Sequence, residues 1–222
     1  MNSIRENIQI IRKTLSKEIC LVAVSKTKPD NLLMEAYKAD QRVFGENKVQ
    51  ELVGKYERLP KDIQWHMIGH LQRNKVKYIA PFIALIHGVD SQRLLKEINK
   101  RAAQNDRSID VLLQIHIAKE ESKFGFDQEE VNQLLTSEAF LSMKNVNVRG
   151  LMGMATFTEN NDTITTEFMD LKSLFDTLKQ TYFKQSSDFD ILSMGMTNDY
   201  KIAQACGSNM LRIGSAIFGP RN

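Results

Sequence analysis

Ile19-Cys20-Leu21-Val22-Ala23-Val24-Ser25-Lys26-Thr27-Lys28-Pro29 is the stretch on which the fold turns. A short, unbroken apolar run rich in branched side chains reads as a strand buried on both faces. Strands of that kind belong to parallel sheets covered by helices. Pro29 then suits the first turn of a following helix, where its missing N–H costs nothing. Upstream, Ser3 and Glu6 fit a capping box, and Ile4, Ile8, Ile11 and Leu15 fall on one face, so a helix precedes the strand.

The same pattern repeats downstream. Apolar strands read at Arg42–Gly45, Ile63–Ile68, Ala84–Val89, Ile109–Ile117, Asn147–Met154, Asp190–Met194 and Met210–Ile213. Amphipathic segments separate them at Val49–Tyr56, Leu94–Ala103, Val131–Leu135, Phe168–Leu178 and Thr197–Cys206, with a weaker helical signal at Lys75–Ala80. Eight strands alternating with helices favour an α/β fold closed as a (β/α)₈ TIM barrel, which needs about 250 residues and tolerates about 200. An open doubly wound sheet fits the same alternation. No linker or composition break divides the chain, so residues 1–222 read as one domain.

Composition narrows the function. Apolar residues at 42% and charged residues at 26% are ordinary globular values. The net charge of +3 is spread along the chain, with the densest basic stretch at Arg73, Lys75 and Lys77, which argues against a nucleic-acid partner. Cys20 and Cys206 have no metal-ligand spacing. Arg5, Glu6, Arg12 and Lys13 interrupt the N-terminus, and no apolar window reaches membrane length. The expectation is a cytoplasmic protein without a membrane partner.

In a barrel, functional residues gather at the carboxyl ends of the strands. Those positions are Lys26, Asn47, His66, Asp90, Ser122, Met152, Ser193 and Arg212 with Gly214 and Ser215. Lys26 ends an apolar strand. It either reaches solvent or serves as a reactive amine, since partial desolvation disfavours its ammonium form. The loops Ser193-Met194-Gly195-Met196-Thr197 and Arg212-Ile213-Gly214-Ser215 follow the last two strands, where barrels often hold phosphate on backbone amides and hydroxyls. His66 and His70 stand four apart, but Met67 replaces the glutamate of a metalloprotease helix, and no metal site is expected.

These residues fall into a larger pattern. Val22-Ala23-Val24-Ser25-Lys26-Thr27-Lys28-Pro29, Phe44-Gly45-Glu46-Asn47-Lys48-Val49-Gln50-Glu51, Trp65-His66-Met67-Ile68-Gly69, Ser122-Lys123-Phe124-Gly125, Arg149-Gly150-Leu151-Met152, Ser193-Met194-Gly195-Met196 and Arg212-Ile213-Gly214-Ser215-Ala216-Ile217-Phe218-Gly219 occur in order. Together they resemble the pyridoxal phosphate homeostasis proteins. The resemblance implies a barrel like the N-terminal domain of alanine racemase, monomeric, with pyridoxal 5′-phosphate as a Schiff base on Lys26. It also implies that Ser193, Gly195, Met196, Gly214 and Ser215 surround the phosphate, that Asn47 lines the ring pocket, and that Arg212 faces the pyridine nitrogen.

The resemblance leaves two functions to weigh. A guanidinium keeps its proton, so Arg212 would hydrogen-bond a neutral ring nitrogen and weaken the ring as an electron sink. In alanine racemase an additional domain supplies the second acid/base group, and this chain ends at Asn222, just after the last motif. The expectation is a non-catalytic carrier that buffers the cofactor and delivers it to apoenzymes. The alternative is a minimal amino-acid racemase using Lys26 as one base.

Overall fold

The structure, a computed structural model, describes residues 3–118 and 124–220. Every expected apolar run forms a strand: β1 Cys20–Val24, β2 Val43–Glu46, β3 Gln64–Met67, β4 Leu85–Val89, β5 Ile109–Gln114, β6 Val146–Met152, β7 Ile191–Met196 and β8 Met210–Ile213. Neighbours pair in parallel in chain order, and β8 returns to β1 with Leu21 beside Leu211 and Val22 beside Arg212. The sheet therefore closes into an eight-stranded barrel, and the open alternative is excluded.

The helices are α1 Ile4–Thr14, α2 Asp30–Lys38, α3 Val49–Arg58, α4 Val76–Ile79, α5 Gln92–Ala103, α6 Gln128–Thr136, α7 Glu138–Leu141, α8 Asn161–Thr181, α9 Tyr200–Ala205 and α10 Ser215–Phe218. The α1 capping box forms: the Glu6 N–H donates to Ser3 Oγ at 3.2 Å and the Ser3 N–H to Glu6 Oε2 at 2.7 Å. Ile4, Ile8 and Ile11 are buried, and the Asn7 amide donates to Ile217 O at 2.9 Å, tying α1 to α10.

A closed sheet has two faces, and each has its own core. Outside, Phe44, Trp65, Leu33, Leu52 and Phe168 pack between strands and helices. Fully burying such a side chain contributes about 1.5–3 kcal/mol. A separate cluster drawn only from strands, Val22, Leu85, Leu112, Met152 and Met210, fills the interior. The barrel is thus packed through its middle, and a ligand site has room only at an end.

Differences from expectation concentrate at that end. Strand β5 stops at Gln114, short of Ile117; there the Phe126 N–H donates to Gln114 O at 2.8 Å and the His116 N–H to Phe126 O at 3.0 Å. Strand β6 stops at Met152, short of Met154. Thr197–Asp199 forms a turn rather than the start of α9, since Asp199 Oδ1 accepts the Met196 N–H at 2.5 Å. Pro29 stands just before α2 rather than inside its first turn, and the single-turn helices α7 and α10 carry too little periodicity to be anticipated. Among the described residues, no helix is long and apolar enough to cross a membrane.

Candidate functional site

A cavity of about 320 Å³ opens at the carboxyl ends of β1, β2, β7 and β8. Lys26, Asn47, Met196, Arg212, Gly214 and Ser215 all line it. Two grooves of about 380 and 390 Å³ lie elsewhere, lined by residues such as Arg73 and Lys96 or Arg12 and Leu15, and neither contains a predicted site residue. Ser193 and Gly195 do not line the cavity; both lie buried within β7. His70 turns to Asp90, Nδ1 to Oδ2 3.0 Å, away from this lining. Ser122 lies outside the described residues.

Lys26 is half-buried at the tip of β1, and the peptide groups beside it are pinned. The buried Ser25 hydroxyl donates to Glu46 Oε1 at 2.6 Å. Lys55, from α3, donates through Nζ to Ser25 O at 2.8 Å and to Glu46 Oε1 and Glu51 Oε1, each at 2.7 Å. Glu51 Oε1 also accepts the Thr27 N–H at 2.6 Å, and Thr27 adopts φ +63°, a sharp turn directly after Lys26. Lys55 is 3% exposed and Glu46 not at all. Burial pushes the Glu46 carboxyl above its usual range, against the pull of Lys55 and Ser25. Lys28, which shares the parity of Lys26, also lines the cavity but donates across to Pro220 O at 2.7 Å.

Arg212 forms the opposite support. Its Nη1 donates to Ser193 O at 2.9 Å and Ser193 Oγ at 2.6 Å, and its Nη2 to Gly153 O at 3.0 Å. Burial pulls the guanidinium down to about 10, with Asp199 opposing, so it remains a cation at neutral pH. Ser193 Oγ lies 3.1 Å from His87 Nδ1, and His87 Nε2 lies 3.0 Å from His66 Nδ1. Burial lowers His66 to about 3 and His87 well below its ordinary value, which leaves both neutral.

The two glycines in the β7 and β8 loops answer first to packing. Gly195 has φ +93°, and a Cβ there would come within 2.4 Å of Ala203 Cβ on α9. At Gly214 a Cβ would press on β1, 3.1 Å from Val24 O. The Gly214 N–H reaches Thr197 Oγ1 at 3.4 Å, which links the two loops. Ser215 is exposed at the start of α10.

Sequence reasoning passed over Lys55 and His87. Both carried a signal. Lys55 falls on the buried stripe of Val49 and Leu52, and His87 sits in the wholly buried β4. A polar group at such a place must find partners, so it marks a network.

The chain matches the family described as alanine racemase, N-terminal domain, over residues 1–222. It is 40% identical to the pyridoxal phosphate homeostasis protein of Aquifex aeolicus, covering 90% of this chain and 86% of that one. Against the Escherichia coli protein of the same name identity is 35%, covering 100% and 98%. The structure of PipY from Synechococcus elongatus with PLP bound superposes with a TM-score of 0.86 at 32% identity, covering 97% of this chain and 100% of that one. Alanine racemase from Clostridium difficile shares the fold, with a TM-score of 0.78 at 13% identity over 99% of this chain and 60% of its own. On its sequence relatives and its barrel alike, this chain belongs to the pyridoxal phosphate homeostasis proteins, a family built on the alanine racemase N-terminal domain.

Proposed function

We propose that this chain binds pyridoxal 5′-phosphate at the barrel mouth, attached through Lys26, and serves in PLP homeostasis as a carrier rather than a catalyst. The observation that carries the reading is the meeting of an amine, a guanidinium and a Gly-Ser turn around one cavity: Lys26, Arg212 and Gly214-Ser215. The cavity volume of about 320 Å³ falls in the range of small-molecule sites, about 300–1,000 Å³. Its donors suit a phosphorylated ring aldehyde, and Ile68, Met154 and Phe157 add apolar walls. The cofactor, when bound, supplies an aldehyde that condenses with an amine and a ring that withdraws electrons.

The chain's own residues divide the work. Lys26 provides the amine, held on a backbone gripped from both sides. Arg212 donates to the ring nitrogen with an N–H it does not give up near neutral pH. Asn47 lines the ring, while Met196, Gly214 and Ser215 hold the phosphate. Ser193 and Gly195 serve from behind, the first by bonding Arg212 and the second by shaping the turn.

The carrier reading has its own support. Besides Lys26 and Arg212, the titratable groups lining the cavity among the described residues are Lys28, bonded to Pro220 O, and Asp199, bonded by the Met196 N–H. Each is engaged in holding a loop rather than poised as a second acid/base. A monomer suffices, since one chain builds the whole site, and the natural recipients are PLP-dependent apoenzymes in the cytoplasm. The test titrates PLP into parent protein and Lys26→Ala, then follows deuterium exchange at the α-carbon of several amino acids. The reading expects a visible chromophore lost in Lys26→Ala and exchange far below enzymatic rates. Exchange at enzymatic rates in the parent would overturn the carrier.

A further inference from the structure

We propose that Ser193, His87 and His66 form a one-way hydrogen-bond chain that begins at Arg212 and acts as its positioning device. The four groups come from β8, β7, β4 and β3, so the chain crosses the barrel interior. Arg212 is 4% exposed, His66 5%, and Ser193 and His87 not at all.

Counting protons fixes the direction. A guanidinium has no acceptor, so Arg212 Nη1 donates to Ser193 Oγ at 2.6 Å. Ser193 has one hydroxyl hydrogen, and the acceptor within reach is His87 Nδ1 at 3.1 Å. His87 therefore keeps Nδ1 bare and carries its proton on Nε2, which donates to His66 Nδ1 at 3.0 Å. His66 then also carries its proton on Nε2. The opposite tautomer of His87 would aim a second donor at Ser193 Oγ. The buried hydroxyl hydrogen would then have no acceptor among the described residues, a costly arrangement. A protonated His66 would set two donors face to face across the 3.0 Å contact.

The consequence falls on Arg212. Both Nη1 hydrogens go to Ser193 and one Nη2 hydrogen to Gly153 O, which fixes the guanidinium plane. Nε–H and the second Nη2–H remain as a rigid donor edge at the cavity, suited to a lone pair and not to a protonated ring nitrogen. Ser193 is thereby assigned to Arg212 and not to a phosphate. The ligand side of this inference rests on the proposed PLP site; the proton order does not.

The decisive measurement uses ligand-free protein labelled with ¹⁵N-histidine. Long-range ¹H–¹⁵N spectra near neutral pH are expected to show His66 and His87 as neutral Nε2–H tautomers, assigned by difference with His70→Gln and His116→Gln. Finding Nδ1–H on His87, or an imidazolium at either position, overturns the chain. In Ser193→Ala, His87 is expected to lose its single tautomer, and PLP retention to fall about tenfold, the scale of one charge-assisted hydrogen bond. An unchanged tautomer with unchanged retention also overturns it. A parent that shows the expected histidine spectrum yet takes up no PLP upholds the chain and sinks the functional reading instead.

Discussion

Beneath Lys26 the protein buries an ion pair, whereas beneath Arg212 it buries a row of neutral groups leading away from a single cation. The Lys55–Glu46 pair lies behind the barrel wall, and it grips the peptide groups of Ser25 and, through Glu51, Thr27. It orders the strand end that carries the amine. The His66–His87–Ser193 row lies inside the barrel and orders a side chain directly. A charged row there would add positive charge beside Arg212 in a low-dielectric interior, where repulsion is poorly screened. Burial keeps the histidines neutral, and the difference teaches where each kind of anchor is tolerable: charge behind the wall, neutrality inside it.

Breaking the charged anchor is expected to have the largest effect. Lys55→Met leaves Glu46 buried and ionisable with its main partner gone, which costs about 3–5 kcal/mol. Urea denaturation measures this, and adding Glu46→Gln is expected to recover part of the loss. A cost below about 1 kcal/mol would mean that the pair is not a support at all.

Acid separates the two networks by sign. His66 and His87 have depressed values in the folded state, so the unfolded chain binds more protons below about pH 6.5, for His66 down to about pH 3. Their stabilisation is present above about pH 6.5 and is lost as pH falls, on the order of 5 kcal/mol for His66, with His87 acting in the same direction. Glu46 is raised, so its contribution runs the other way: present below its unfolded value and lost as pH rises through its folded one. Denaturation at stepped pH, with His87→Gln for comparison, is expected to show a shallower acid slope in the variant. The smallest effect is expected at Glu51, which is 24% exposed. Glu51→Gln weakens a partly solvated contact and is expected to cost about 0.5–1 kcal/mol, because water replaces much of what is lost.

The barrel was legible because buried parallel strands write themselves as apolar runs, and the run ending at Lys26 shows this most clearly. Strand ends were read too long at Ile117 and Met154, since the apolar runs continue past the last paired residues, Gln114 and Met152. Lys26, Asn47, Met196, Arg212, Gly214 and Ser215 were all found at positions that a barrel brings together. The reading of Ser193 and Gly195 as phosphate neighbours came from resemblance and concerns backbone N–H groups, which the packing of their side-chain positions does not test. Ser193 faces Arg212, and the place of a Gly195 side chain is taken by Ala203. Neither relation is visible in one dimension, since Ser193 and Arg212 meet only through adjacent strands. Lys55 and His87 went unread because Ser25, Glu46, Ser193 and His66, which they bond, lie on other elements; Glu51, which shares α3 with Lys55, is the exception.

The most direct test of the central claim is to load the protein with PLP, reduce it with borohydride and map the modified peptide by mass spectrometry. The expected result is one adduct, on Lys26, absent in Lys26→Ala while the circular dichroism of the barrel is unchanged. An adduct chiefly on Lys28 or Lys75, or a Lys26→Ala variant that still captures the cofactor, would contradict the account.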